Sequence, residues 1–160
     1  MVDSGEKWGI CMFIGEARHS IDEKGRLILP AKFRDDLGSS FIITRGIDKC
    51  LFVYTNKEWE RITNKLQSLS FTKKDARNFM RFFLSGATMA GFDKQGRVNI
   101  TSGLISYAEI KKDCVIVGVG NRLEIWDSES WDTFYKENED KLSEIAEDLF
   151  ENLEGGENAH

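Results

Sequence analysis

The sequence predicts an α+β fold made of two copies of one β-rich unit, with helices between the copies and a helix closing the chain. Asp22-Glu23-Lys24-Gly25-Arg26-Leu27 matches Asp93-Lys94-Gln95-Gly96-Arg97-Val98 at an offset of 71. Leu51-Phe52-Val53-Tyr54 matches Leu123-Glu124-Ile125-Trp126 at 72, and Trp59 matches Trp131 at that same offset. Three anchors in one order, at nearly one offset, mark an internal duplication.

Each copy reads the same way along the chain. A short strand (Ala17 to Ile21; Ala87 to Phe92) enters a tight turn, and a second strand leaves it (Arg26 to Leu29; Arg97 to Ile100). Asp-x-x-Gly suits such a turn, because Asp bonds the backbone ahead of it and Gly accepts positive φ without a steric cost. A short helix follows (Ala31 to Leu37; Ser102 to Tyr107). Two β-rich strands come next, near 41–45 and 51–55, with counterparts near 114–119 and 122–126.

Two helices are expected between the copies. Thr55 or Asn56 caps the first, with Trp59, Ile62, Leu66 and Leu69 on one face. Thr72 caps the second, with Ala76, Phe79, Met80, Phe83 and Leu84 on its apolar face. After the second copy, Ser128 caps a helix lined by Trp131, Phe134, Tyr135, Leu142, Ile145, Leu149 and Leu153. Residues 1–11 look different and are read as an extension outside the fold, since Met12-Phe13-Ile14-Gly15 reads as a natural start. The expected organisation is therefore a first repeat with its two helices over 12–84, a second repeat with a C-terminal helix over 85–153, and a disordered tail over 154–160.

Composition supports a folded core: 41% of residues are hydrophobic and only one is proline. The longest apolar runs, such as Cys114 to Val119, are far below the roughly 20 residues that cross a bilayer. No signal-peptide pattern opens the chain, so a cytoplasmic protein without a membrane partner is expected. The three cysteines (Cys11, Cys50, Cys114) are scattered, and His19 and His160 stand alone, so neither metal nor cofactor is expected. Cys50 and Cys114 read as buried structural thiols.

The net charge of −5 conceals an asymmetry. From Met12 to Ile100 there are 16 basic and 10 acidic residues; from Thr101 to His160 there are 5 and 15. A basic body thus carries an acidic C-terminal segment, and global charge is a poor guide to what the body binds.

Catalysis is not expected. Asp22 and Asp93 form a possible carboxylate pair, but there is no G-x-S-x-G and no Cys/His pairing. Gly25 and Gly96 are single turn glycines rather than a phosphate-cradling loop. Asp beside Arg more simply orients the guanidinium. A duplicated turn presenting Lys24 and Arg26, then Lys94 and Arg97, suits DNA: Arg pairs bidentately with guanine, and both residue types neutralise phosphates. The same Asp and Arg would also staple each turn, and both roles can hold at once.

Met12-Phe-Ile-Gly-Glu-Ala, Asp22-Glu-Lys-Gly-Arg26 followed by Leu-Ile-Leu-Pro30, and Phe82-Phe-Leu-Ser-Gly86-Ala87 before Asp93-Lys-Gln-Gly-Arg97 together resemble the MraZ family, within the AbrB/SpoVT-like DNA-binding group. The resemblance runs from Met12 to about Leu153. It implies two interleaved AbrB-like halves around a β-barrel-like core, and homo-oligomeric rings. It also implies a nucleoid-associated transcriptional regulator of the division and cell-wall gene cluster, acting on direct repeats in its own promoter. Carried over by position, Arg26 and Arg97 are the motif arginines and Asp22 and Asp93 their partners. The second copy departs from the first with Asn99-Ile100-Thr101 in place of Ile28-Leu29-Pro30, which predicts a less rigid exit from the second turn. Two alternatives act through protein partners: a ring scaffold, and an antitoxin-like AbrB protein. The many aromatics beside the helices (Trp59, Phe79, Phe82, Phe83, Trp126, Trp131, Phe134, Tyr135) predict self-association through helical faces.

Overall fold

The computed structural model describes residues 12–158. Residues 1–11, with Cys11, and residues 159–160, with His160, lie outside the described residues. The chain divides into two units, one up to Ser128 and one from Glu129. In order, the first unit contains β1 (Phe13–Ser20), β2 (Arg26–Ile28), α1 (Ala31–Leu37), β3 (Ser40–Arg45), β4 (Leu51–Thr55), α2 (Asn56–Gln67) and α3 (Lys74–Ser85). The second copy follows with β5 (Thr88–Gly91), β6 (Arg97–Asn99), α4 (Ser102–Tyr107), β7 (Asp113–Gly120) and β8 (Leu123–Asp127).

The duplication is written into the strand pairing. One sheet runs β1-β7-β8-β4-β3-β5, and a separate ribbon pairs β2 with β6. The sheet reads as a palindrome once β1 is equated with β5, β3 with β7 and β4 with β8. Register gives the same result. Leu27 pairs with Val98, and Phe52 pairs with Glu124; each pair joins a residue to its own counterpart in the other copy. A pseudo-twofold axis therefore passes through both contacts. The first strand of each copy crosses over to the other copy, β1 onto β7 and β5 onto β3, so the halves interleave and neither copy has a core of its own.

The barrel-like closure implied by the resemblance is not formed. β1 and β5 each pair on one side only and remain as edges of an open sheet. Each turn after an edge strand leads the chain off the sheet into the ribbon, so neither edge strand continues toward the other.

Alternation along the central strands explains the core. Phe41, Ile43, Leu51 and Val53 face one way and meet Cys114, Ile116, Leu123 and Ile125 from the other copy. The ribbon adds Leu27 and Val98, both fully buried. The opposite face of β4 carries Phe52 and Tyr54. Tyr54 packs edge-on to Phe83, whose ring lies 5.3 Å from both Trp59 and Phe79. Thr44 Oγ1 donates to the Phe83 carbonyl at 2.6 Å, tying β3 to α3. Several aromatics expected to seek a second subunit are thus one another's partners inside the chain, and Trp126 is buried as well. Cys50 and Cys114 are buried free thiols, and burial pushes the Cys114 thiol up to about 12.

Thr55 caps α2 as expected, its Oγ1 accepting from the Glu58 N–H at 3.1 Å. Thr72 does not cap α3, which begins at Lys74 with Lys73 at its cap and no side-chain bond there. Thr72 is engaged by Ser70 instead, hydroxyl to hydroxyl at 2.7 Å, a local bond that competes with helix initiation. The second unit is not one helix but two, α5 (Ser128–Glu139) and α6 (Leu142–Asn158). Asn138 Nδ2 donates to the Phe134 carbonyl, and the Lys141 N–H turns back to the Asn138 carbonyl. Those bonds divert the helical ladder just before α6. α6 continues to Asn158, past Leu153. Trp131 packs with Phe134 and Tyr135 in α5, while Leu142, Ile145, Leu149 and Leu153 of α6 are exposed. Among the described residues no helix is long and apolar enough to cross a membrane.

Candidate nucleic-acid interface

The two Asp-x-x-x-Arg segments fold into turns with the same hydrogen-bond pattern. In the first, Asp22 Oδ1 accepts from the backbone N–H of Lys24 and of Arg26, both at 2.9 Å, and Oδ2 accepts from Arg26 Nε at 2.7 Å. In the second, Asp93 repeats this with Gln95, Arg97 and Arg97 Nε at the same three distances. The main chain closes each loop as well: Asp22 N–H donates to the Arg26 carbonyl, and Asp93 N–H to that of Arg97, both at 2.9 Å. One carboxylate therefore shapes the turn with one oxygen and aims the arginine with the other.

Among the described residues each guanidinium bonds its aspartate through Nε, and neither of its Nη groups makes a hydrogen bond. The arginine side chains are 32% and 24% exposed, and Lys24 and Lys94 are exposed. The backbone N–H of Arg26 is the largest influence holding the Asp22 carboxyl below its ordinary value, and that of Arg97 does the same for Asp93. A lowered folded pKa means a contribution to stability that is complete above the ordinary carboxylate value of 3.8. It is lost as pH falls through the lower folded value. We expect the turns to stay ordered from neutral pH down to that region and to loosen only below it, read from amide exchange of Lys24 and Gln95.

Asp22 thus makes three bonds within the chain, whereas Arg26 makes one side-chain bond to it. Asp22→Ala is expected to melt at a lower temperature than Arg26→Ala. Paired thermal melts decide this, and the reverse order would contradict the bonding described here.

The glycines are required by geometry. Gly25 and Gly96 sit at φ of 82° and 76°, the left-handed region. Gly25 also packs its main chain against the other copy, its carbonyl accepting from the Ile100 N–H at 2.7 Å. The symmetric bond at Gly96 is longer, its carbonyl accepting from the Leu29 N–H at 3.4 Å, and the Arg34 side chain also lies over Gly96, its Nη1 donating to the Leu29 carbonyl at 2.9 Å. Arg34 is a basic neighbour of the second turn that the sequence reading missed; its counterpart beside the first turn is Ile105.

Pairing of β2 with β6 brings the two turns onto one surface. Leu27 and Val98 point into the core, so Arg26, Ile28, Arg97 and Asn99 point outward together. Arg26 stands opposite Asn99 across the ribbon, and Ile28 opposite Arg97. A depression of ≈ 450 Å³ opens here, lined by Lys24, Arg26, Phe92, Asp93, Arg97 and Asn99. Of the eight expected site residues, Lys24, Arg26, Asp93 and Arg97 line it, whereas Asp22, Gly25, Gly96 and Lys94 lie outside its lining. Ile28 and Asn99 share the face without having been singled out as contacts, although period-two alternation after each turn placed them there.

The second turn's exit keeps the geometry of the first. Pro30 and Thr101 hold nearly the same backbone angles (φ −58°, ψ 148° and φ −66°, ψ 153°). Thr101 compensates for the missing proline ring by accepting the Leu104 N–H at Oγ1.

The family model described as that of the MraZ protein, and likened there to antitoxins, matches residues 12–82 and again residues 83–153. The two matches meet near the end of α3, cover most of the chain and correspond to the two interleaved copies; the chain belongs to the MraZ family.

Proposed function

We propose that this chain is a non-enzymatic, sequence-specific DNA-binding transcriptional regulator, of the division and cell-wall gene cluster including its own promoter. Its contacts to double-stranded DNA are made by Arg26 and Arg97, with Lys24 and Lys94 on the phosphates. The observation that carries this is the pairing of two turns with the same hydrogen bonds on one outward face, each arginine held by its aspartate through Nε with, among the described residues, no bond to either Nη group. A two-stranded ribbon fits the major groove, where an end-on guanidinium meets guanine O6 and N7. Asp22 and Asp93, whose negative charge would oppose phosphates, are neutralised by the arginines they orient.

Self-association into a ring would repeat this face along one rim, so that weak single contacts add on direct repeats of DNA. The exposed apolar row of α6 (Leu142, Ile145, Leu149, Leu153) supports helix-mediated association. That same row, with the antitoxin likeness of the family, favours as a second reading a regulator that acts through a protein partner. Nucleoid association would follow from the first reading.

A gel-shift of the full chain on its own promoter across a salt series tests the choice. Two lysines on phosphates should give a log–log salt slope of roughly −2 per bound chain. Absence of any sequence-preferring duplex binding would leave the protein-partner reading.

A further inference from the structure

We propose that Asn99 and Ile28 determine which bases this face accepts: Asn99 reads an adenine beside the guanine met by Arg26, and Ile28 packs on a thymine methyl beside the guanine met by Arg97. The inference rests on the duplex-binding reading and specifies it.

Four side chains occupy the outward face of the β2–β6 ribbon in two cross-strand pairs, Arg26 with Asn99 and Ile28 with Arg97. The pseudo-twofold axis through Leu27 and Val98 exchanges the two arginines. The same rotation exchanges Ile28 with Asn99, and these are chemically unlike. Among these four side chains symmetry is broken at that one pair of positions, and in the flanking turns Lys24 corresponds to Gln95.

Neither residue is explained by the fold. Asn is a poor strand former, yet it stands in β6. Among the described residues its carboxamide forms no hydrogen bond with the protein; the amide oxygen lies 3.5 Å from where a side chain on Gly25 would begin, beside Arg26's turn. Ile28 is 42% exposed on a face whose other three side chains are polar, where a core role is absent. Both have the chemistry of direct readout: a carboxamide pairs bidentately with adenine N6 and N7, and an aliphatic group contacts the thymine methyl. An Ile beside Arg97 also leaves a polar base edge unpaired, which disfavours cytosine and adenine there.

The experiment is selection from random duplexes with the full chain, using the wild type, Ile28→Asn and Asn99→Ala, followed by competition with single-base variants of the enriched site. The wild-type site is expected to be non-palindromic about the centre of the face. Asn99→Ala should lower the preference for adenine at one position by roughly tenfold and leave the rest of the site intact. Ile28→Asn should replace thymine preference by adenine and make the site more nearly symmetric. Both positions are exposed, and unchanged melting temperatures would confirm that the variants fold. If all three chains enrich one identical site, the assignment of Asn99 and Ile28 is overturned while duplex binding stands. If the wild type enriches no sequence, duplex readout itself falls and this proposal falls with it.

Discussion

Replacing Arg26 with alanine is expected to remove sequence-specific DNA binding while leaving the chain folded, and Arg26→Ala/Arg97→Ala should remove it completely. Among the described residues the guanidinium is anchored by a single bond from Nε to Asp22, and its side chain is a third exposed. Little of the fold depends on it, since Asp22 keeps both backbone bonds that shape the turn. What is lost is the pair of Nη donors. A bidentate contact to guanine is worth about 1–3 kcal/mol of discrimination, or roughly fivefold to more than a hundredfold per arginine. In an oligomer every copy loses it, so the combined effect on a repeated site is larger. Arg26→Lys provides the sharper comparison. A lysine retains the charge but lacks the planar fork, and it should keep salt-sensitive binding to any duplex while losing the promoter's preference. Gel-shifts against specific and scrambled duplexes separate these outcomes. Unaltered specific binding by Arg26→Ala would remove the arginine from the interface, and an unfolded Arg26→Ala would show that its role is to hold the turn.

Much of this site was legible before any coordinates because it is local. An Asp accepting from backbone two and four residues ahead, and a Gly at positive φ, are properties of the five-residue segments themselves. The duplication was legible because matching residues recur at one offset. What the sequence could not disclose is which copy each strand joins. β1 pairs with β7 across about a hundred residues, and nothing in Phe13–Ser20 favours that partner over one nearby. The common face shared by the turns follows only from the Leu27–Val98 pairing. Helix ends erred where side chains competed with the backbone, at Ser70 with Thr72 and at Asn138. The aromatic stripes looked like surplus surface because periodicity shows a face without showing what covers it. In space Trp59, Phe79 and Phe83 cover one another.

Gly25→Ala is expected to be among the most damaging single substitutions in the chain, and clearly worse than Gly96→Ala, although the two glycines are equivalent by symmetry. Both would force a side chain into left-handed backbone, at a cost of about 1–2 kcal/mol. Their surroundings then separate them. A methyl on Gly25 would lie 2.7 Å from the Ile100 carbonyl oxygen and 3.3 Å from Ile105 Cδ1. The carbonyl is main chain, in the strand exit that also donates its N–H to the Gly25 carbonyl, so relief requires the ribbon to shift. A methyl on Gly96 instead meets the Arg34 guanidinium, the far end of a flexible side chain. Arg34 can swing away at the loss of its bond to the Leu29 carbonyl. Adding the displaced backbone to the strain puts Gly25→Ala at about 3 kcal/mol or more, against about 2 kcal/mol for Gly96→Ala. For a chain of this size that corresponds to a loss of roughly 10 °C in the first case and about two-thirds of that in the second. Because the ribbon carries both turns, Gly25→Ala should also impair DNA binding at temperatures where the chain is still folded. Thermal melts and gel-shifts on the same two preparations measure both effects. Equal melting temperatures for the two variants would mean that the close approach of Gly25 to Ile100 is not a constraint on the fold.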